Sequence, residues 1–266
     1  QFGEPIVSYE LIQEKIARAR AHELGAESLM YFTAWLLEEA PRANVAIESS
    51  HAKLYGTTRC WDTLYDAMQV AGGAGYLRTM PYEKRMRDFR VTTIFEGTTE
   101  IHSIYPALMI ARGVNERIEG RSTLGKLAGL LAFRLTRALR SAPAGHDRRT
   151  RSGRARAGAL DSARRGEAIV RSLTARAMSR YRTDVAKHEF VLRRITEVSL
   201  AVYVLLAAVN LIGRRSGNDV PEHTIEALNY LRAEADELFD APLMAGATDL
   251  EETTRRLVAS LREDVS

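Results

Sequence analysis

Apolar residues recur at intervals of three and four positions along most of this chain, which places them on one face of an α-helix. Over residues 8–40 this spacing predicts one long helix, with Ser8 as its N-cap and Pro41 after its end. A second helix is predicted over residues 43–70. A cluster of three glycines follows, and it predicts a tight loop because glycine is unfavourable inside a helix. These glycines are Gly72, Gly73 and Gly75.

The pattern continues beyond the glycines with shorter elements. A helical turn is predicted to begin near Pro81, the β-branched and aromatic residues 91–95 lead into a bend at Glu96, and a third long helix continues to about Arg112. Residues 123–139 show an amphipathic helical pattern. Four further helices are predicted, over residues 162–187, 189–214, 221–239 and 249–261.

Residues 141–159 separate the two groups of helices and contain arginine, glycine, alanine and proline with almost no large apolar side chain. Such a composition buries too little surface to order the backbone, so we predict a flexible, solvent-exposed linker. We expect a helical bundle over residues 1–114, an amphipathic helix and Arg-rich linker over 115–160, and a helical extension domain over 161–266.

The composition supports an all-α fold with a substantial core. Of the 266 residues, 45% are hydrophobic, and alanine, leucine, arginine and glutamate dominate. The longest apolar run, 200–212, is shorter than the roughly 20 residues that cross a bilayer, so it predicts a core helix. Cys60 is the only cysteine, and His188 and His223 lack partners at metal-ligand spacing, so we expect no metal site.

Two motifs carry the functional information. The first reads Gln-Val-Ala-Gly-Gly-Ala-Gly from Gln69, and the second reads Thr-Thr-Ile-Phe-Glu-Gly-Thr-Thr-Glu from Thr92. Together they resemble the C-terminal signature of the acyl-CoA dehydrogenases, in which a glycine loop precedes a hydrophobic-Glu-Gly-Thr turn. Residues 1–6 resemble the start of the same family's C-terminal helical domain. Residues 188–194 resemble, more loosely, the extra domain of its very-long-chain subgroup.

This resemblance implies a C-terminal helical bundle followed by a second helical domain. It also implies FAD-dependent α,β-dehydrogenation of a long or very-long-chain acyl-CoA in fatty acid β-oxidation, with electron-transfer flavoprotein as the partner that reoxidises the flavin. A homodimer is expected. The alternative is a non-enzymatic helical interaction or assembly module derived from an acyl-CoA dehydrogenase.

By the same resemblance Glu96 is the catalytic base that removes the proton from the carbon next to the thioester. A carboxylate beside apolar neighbours such as Ile94 and Phe95 binds a proton more tightly. Gly97 allows the acyl chain to pass close to the backbone, because glycine has no side chain. The alternative for Glu96 is an ordinary acidic residue at a helix N-terminus.

The resemblance also indicates residues that contact FAD. The glycine loop approaches the diphosphate and adenosine end of the neighbouring subunit's flavin, through Gln69, Ala71, Gly72 and Gly73. At the start of the third helix, Thr98 and Glu100 lie near the flavin. Near the start of the chain, Phe2 and Gln13 contact the adenine half of the second flavin or simply pack in a helix interface.

An arginine-dense stretch follows the leucine-rich helix between residues 124 and 165. Its amphipathic and basic character resembles a peripheral membrane anchor that binds anionic lipid headgroups, and the alternative is a solvated basic linker. Nucleic acid is a poor candidate partner, because no aromatic residues interleave with the arginines. We expect a cytoplasmic or mitochondrial matrix protein, and the membrane-anchor alternative predicts peripheral attachment to the inner membrane.

Overall fold

A computed structural model describes residues 3–39, 41, 44–119, 149–214, 220–241 and 249–263 of the chain. Throughout these ranges the regular structure is helical and includes no strand, so the all-α prediction is confirmed. The described ranges contain three short 3₁₀ turns: Ile6–Ser8 precedes the first α-helix, and Val91–Thr93 and Arg182–Lys187 lie between later helices. The α-helices are α1 (Glu10–Glu39), α2 (Ala46–Val70), α3 (Gly72–Gly75), α4 (Tyr82–Arg90), α5 (Thr99–Glu119), α6 (Arg151–Tyr181), α7 (Glu189–Arg214), α8 (Glu222–Asp240) and α9 (Asp249–Glu263).

Helix α7 lies at the centre of the fold. It packs against α1, α5, α6 and α8, and apolar side chains such as Val198, Leu205 and Val209 are fully buried. This helix is long and apolar enough to cross a membrane, but 78% of its apolar window is buried by the surrounding helices. The burial agrees with the prediction of a core helix around residues 200–212.

The first long helix begins two residues later than predicted. The Ser8 hydroxyl donates to Pro5 O at 2.8 Å and to the Glu4 carboxylate at 3.1 Å, so it stabilises the preceding 3₁₀ turn. Helix α1 then starts at Glu10. The prediction of Ser8 as the N-cap was wrong, because an N-cap oxygen must accept from a backbone N–H of the helix that follows.

The predicted flexible linker is wrong for residues 151–159. Helix α6 begins there, and the Thr150 hydroxyl accepts the N–H of Gly153 at 3.0 Å as an N-cap. Ala155 and Ala159 are buried. Alanine and glycine bury little surface each, but they let α6 approach its neighbours closely enough for dense packing. The rest of the predicted linker, together with the amphipathic pattern over 123–139, lies mostly outside the described residues.

One hydrophobic core runs through helices from both ends of the chain. Hydrogen bonds join the same two groups: the hydroxyls of Thr33 and Tyr203 are 3.3 Å apart, and His51 Nε2 lies 3.0 Å from the Ser199 hydroxyl. Burial lowers the pKa of His51 to about 3, so this histidine is a neutral hydrogen-bonding partner within the interface. The domain boundaries at 114 and 161 stay predictions, while the packing across them is continuous.

Candidate active site

The backbone turns sharply between the 3₁₀ turn Val91–Thr93 and helix α5. Glu96 has a φ of 56° and Gly97 a φ of 96°, so two successive residues occupy the left-handed half of the backbone map. Glycine adopts this conformation freely, whereas a residue with a Cβ is strained by roughly 1–2 kcal/mol. Strain of this kind at a residue expected to be catalytic makes this bend the first candidate for a functional site.

Gly97 is required by space as well as by φ. A Cβ added at this position would lie 2.7 Å from Nε2 of His102, one turn into α5. Any larger residue would therefore have to displace that imidazole. This tight contact gives Gly97 a structural reason to be glycine, in addition to the substrate contact that the motif implies.

The start of α5 contributes Thr98 and Glu100. The Thr98 hydroxyl accepts the N–H of Ile101 at 3.5 Å, and hydrogen bonds from Glu100's own backbone N–H and from the Thr98 side chain lower the pKa of Glu100. Glu100 is exposed. It is therefore an anionic acceptor that suits a hydroxyl or amide donor better than a phosphate.

The Glu96 side chain is exposed, and its apolar neighbours do not enclose it. Ile94 is 52% exposed and Phe95 is 43% exposed. The apolar pocket expected around the carboxylate is thus not formed by the described part of the chain. What these residues provide is an open apolar surface beside an exposed carboxylate.

The glycine cluster folds as α3, one turn of helix, where a tight loop was expected. Gly75 is buried, and a Cβ there would lie 2.6 Å from the carbonyl oxygen of Met68. Gly72 has a φ of 59°, and an added Cβ at Gly72 or Gly73 would meet nothing within 4 Å. Gly75 therefore lets the turn close against α2, while Gly72 and Gly73 present bare backbone to the outside.

The predicted cofactor residues fall into two separate regions. Helix α2 runs past both regions: its Lys53 contacts the bend, and its Gln69 is exposed beside the glycine turn. These two residues are 16 positions apart, or about 24 Å along the helix axis. Gln13 belongs to the glycine end, since Lys15 bonds Asp66 of α2 at 2.5 Å. Within one chain the structure therefore separates the bend residues 96–100 from the glycine turn.

Of the three remaining predicted cofactor residues, Gln13, Phe2 and Ala71, the structure describes Gln13 and Ala71. Gln13 Nε2 donates to Val7 O at 3.0 Å, so the amide group stabilises the start of α1 and leaves its oxygen as the atom available to a ligand. Phe2 lies outside the described residues. Ala71 ends α2, and its N–H donates to Ala67 O at 3.1 Å.

Sequence reasoning missed Lys53 on α2 and His102 on α5, which contact the bend, and Ser50 on α2, which bonds His102. His102 follows the Glu-Gly-Thr motif closely enough for its position to be inferred, but Ser50 and Lys53 precede the motif by about 40 residues and carried no signal. The part of the chain that the structure describes contains no group of three or more side chains able to hold a metal ion.

Comparisons with known proteins agree with this architecture. Residues 1–113 match the family model described as "Acyl-CoA dehydrogenase, C-terminal domain". The mitochondrial very long-chain specific acyl-CoA dehydrogenase of Bos taurus is 26% identical over 242 residues, which cover 84% of this chain and 35% of that protein. The acryloyl-CoA reductase (NADH) of Anaerotignum propionicum is 37% identical over 117 residues, 44% of this chain and 28% of that protein.

A solved structure shares the fold over nearly the whole chain. It is described as an acyl-CoA dehydrogenase complexed with FAD from Bacillus anthracis, and it aligns with a TM-score of 0.71 at 22% identity, covering 99% of this chain and 47% of that one. The chain spans about a third of the length of the very-long-chain relatives, 35% in the bovine protein. Residues 1–113 are thus similar to the acyl-CoA dehydrogenase C-terminal domain family, and the similarity to the very-long-chain enzymes extends into the helices that follow.

Proposed function

We propose that this chain is the C-terminal portion of a FAD-dependent acyl-CoA dehydrogenase that acts on long or very-long-chain acyl-CoA, with Glu96 as its base. The observation that carries the proposal is the strained bend. Glu96 holds an unfavourable backbone conformation although glycine would be free of strain there, and its side chain is exposed. A carboxylate maintained at this cost is best explained by chemistry.

The chemistry that the bend supports is removal of a proton from the carbon next to a thioester carbonyl. The Glu96 carboxylate takes that proton, and the hydride on the neighbouring carbon leaves with its electron pair, so that a double bond forms between the two carbons. Bound FAD would supply the two-electron acceptor for the hydride. The exposed Ile94 and Phe95 offer an apolar surface for the acyl chain beside the carboxylate.

The glycine turn fits a flavin diphosphate or adenosine group. Backbone at Gly72 and Gly73 is open on the side where a Cβ would project, which permits close approach of a ligand. Gln69 is exposed next to it, and Gln13 belongs to the same end of the bundle. In the proposed enzyme these residues, with Ala71 and Phe2, hold one flavin, while Thr98 and Glu100 lie near the flavin that serves Glu96.

The separation of the two regions supports a homodimer. Because the bend and the glycine turn lie about 24 Å apart along α2, one chain can place its glycine turn on the flavin that its partner's glutamate uses. Electron-transfer flavoprotein is the proposed acceptor of the electrons. We propose a cytoplasmic or mitochondrial matrix location, in line with the mitochondrial relatives.

Membrane attachment rests on the sequence pattern over 123–139 alone. Some of the described arginines of the basic stretch already form ion pairs within the protein. Arg151 pairs with Glu222 and Glu226, and Arg165 pairs with Asp240. Paired guanidinium groups attract anionic lipid less than free ones. A peripheral inner-membrane location is therefore proposed for the leucine-rich segment and not for α6.

The test is dye-coupled oxidation of palmitoyl-CoA by the complete gene product that contains this sequence. Wild type is compared with Glu96→Gln at equal flavin content, and Glu252→Gln, an exposed acid on α9, is the matched control. Loss of a general base lowers the rate by about 100-fold or more. We expect that loss in Glu96→Gln only.

Two outcomes contradict the proposal. Equal rates for wild type and Glu96→Gln would show that Glu96 is not the base. A gene product that binds no flavin and does not oxidise palmitoyl-CoA would instead favour the interaction or assembly module.

A further inference from the structure

The carbonyl oxygens on either side of the strained bend are held by side chains from two different helices. Lys53 Nζ, on α2, donates to Thr92 O at 2.7 Å and to Phe95 O at 3.1 Å. The same ammonium lies 4.5 Å from the centre of the Phe95 ring, within range of a cation–π contact. One side chain therefore fixes both the backbone and the ring immediately before Glu96.

The carbonyl of Glu96 itself is held from α5. His102 Nε2 lies 3.2 Å from Glu96 O, and a carbonyl oxygen can only accept, so Nε2 carries the proton and donates. In the neutral ring Nδ1 is then an acceptor, and the Ser50 hydroxyl donates a hydrogen bond to it at 2.8 Å. Ser50 is 3% exposed and lies on α2 one turn before Lys53. Ser50 thus holds the imidazole at Nδ1 while Nε2 faces Glu96 O.

These contacts oppose the relaxation that the strain favours. A non-glycine residue at φ 56° is driven toward negative φ, which would rotate the Glu96 peptide and move its carboxylate. Rotation requires breaking the bond from His102 to Glu96 O and the bond from Lys53 to Phe95 O. The Glu96 side chain is exposed, so the conformation of its own backbone sets the direction in which this side chain leaves the main chain.

We propose that Lys53, Ser50 and His102 are positioning residues that hold Glu96 in the left-handed conformation and so aim its carboxylate at the substrate. The catalytic part of this inference rests on the proposed function, whereas the conformational part does not. Misplacement of a reacting group by about 1 Å can lower a rate about 100-fold. The positioning contacts therefore affect turnover without touching the substrate.

The first experiment uses His102→Leu, which removes the donor, and His102→Gln, whose amide can still donate to Glu96 O. Both are made in the flavin-loaded complete gene product, with His223→Leu, an exposed histidine on α8, as the matched control. We expect kcat for palmitoyl-CoA to fall about 100-fold in His102→Leu, with KM and flavin content unchanged. His102→Gln should recover most of the loss, and His223→Leu should match wild type. Unchanged kcat in His102→Leu would overturn the proposal.

The second experiment reads conformation and does not depend on activity. Crystal structures of His102→Leu and of His102→Leu/Lys53→Met give the φ of Glu96 directly; methionine keeps the packing of the Lys53 stem but not its two donated bonds. We expect negative φ in the double variant. A φ that stays near 56° would show that these side chains do not hold the bend, whatever the rates. If wild type proves inactive, the proposed function fails while this measurement still decides the conformational role.

Discussion

Replacement of Glu96 by glycine should make the protein more stable while removing its activity. At φ 56° a residue with a Cβ is strained by about 1–2 kcal/mol relative to glycine. The exposed Glu96 side chain offers little to lose on truncation. Part of the gain is offset because glycine has more freedom in the unfolded chain, by about 0.5–1 kcal/mol. The two ranges leave an expected net gain for Glu96→Gly of about 0–1.5 kcal/mol, centred near 0.75 kcal/mol.

The measurement is urea unfolding of the 266-residue chain followed by far-ultraviolet circular dichroism. Glu96→Gln is the control, because glutamine keeps the Cβ and the strain while removing the carboxylate. Glu96→Gly should unfold at higher urea than both wild type and Glu96→Gln, with an unchanged slope, and both variants should lack dehydrogenation in the complete protein. If Glu96→Gly were less stable than Glu96→Gln, the bend would not be strained and the argument from strain to function would fail.

Two further predictions concern stability. Gly166→Ala should destabilise the chain by about 1–3 kcal/mol, because the new Cβ would lie 2.5 Å from both the Phe239 ring and Val202. In the control Gly56→Ala the new Cβ would have nothing within 4 Å, so this variant should be as stable as wild type or more stable. Equal urea midpoints for the two variants would refute the packing argument. Burial of Asp66 opposes its ionisation, but hydrogen bonds from Lys15 and Arg18 outweigh burial and lower its pKa, so its stabilisation is present above the unfolded-state pKa near 4 and is lost as pH falls through the folded-state value. Asp66→Asn should therefore cost about 2 kcal/mol at neutral pH, the size of one hydrogen bond to a charged group, and less below about pH 4. Thermal unfolding at several pH values measures this cost, and a cost independent of pH would contradict the ion-pair explanation.

The long helices were readable from the sequence because their apolar spacing is strong. The start of α6 was not, since Ala155 and Ala159 contribute so little apolar area that the segment reads as unable to fold. Their burial depends on the close approach of neighbouring helices, and no local sequence pattern indicates that approach. Ser8 failed for a related reason, because its hydroxyl had a closer acceptor in the preceding turn.

The candidate site was predictable only as far as its motif extends. The Glu-Gly-Thr pattern located the bend at Glu96, but the sequence did not reveal that Glu96 itself takes positive φ. Lys53 and Ser50 act across a helix interface, and their contacts with residues 92–102 exist only once α2 and α5 have packed. Such tertiary contacts between distant segments could not be predicted from the single sequence.

Helix α2 also sets a geometric relation between the two halves of the proposed site. Lys53 and Gln69 belong to one uninterrupted helix, so inserting one residue between them would rotate one end by about 100° and shift it by about 1.5 Å. The carbonyl contacts at the bend and the bare backbone at the glycine turn would then face different directions. Only insertions of nearly whole turns, such as about seven or about 18 residues, would restore the angle, and each would still lengthen the separation. The number of residues in α2 between Lys53 and Gln69 therefore determines the relative orientation of the two halves of the proposed site.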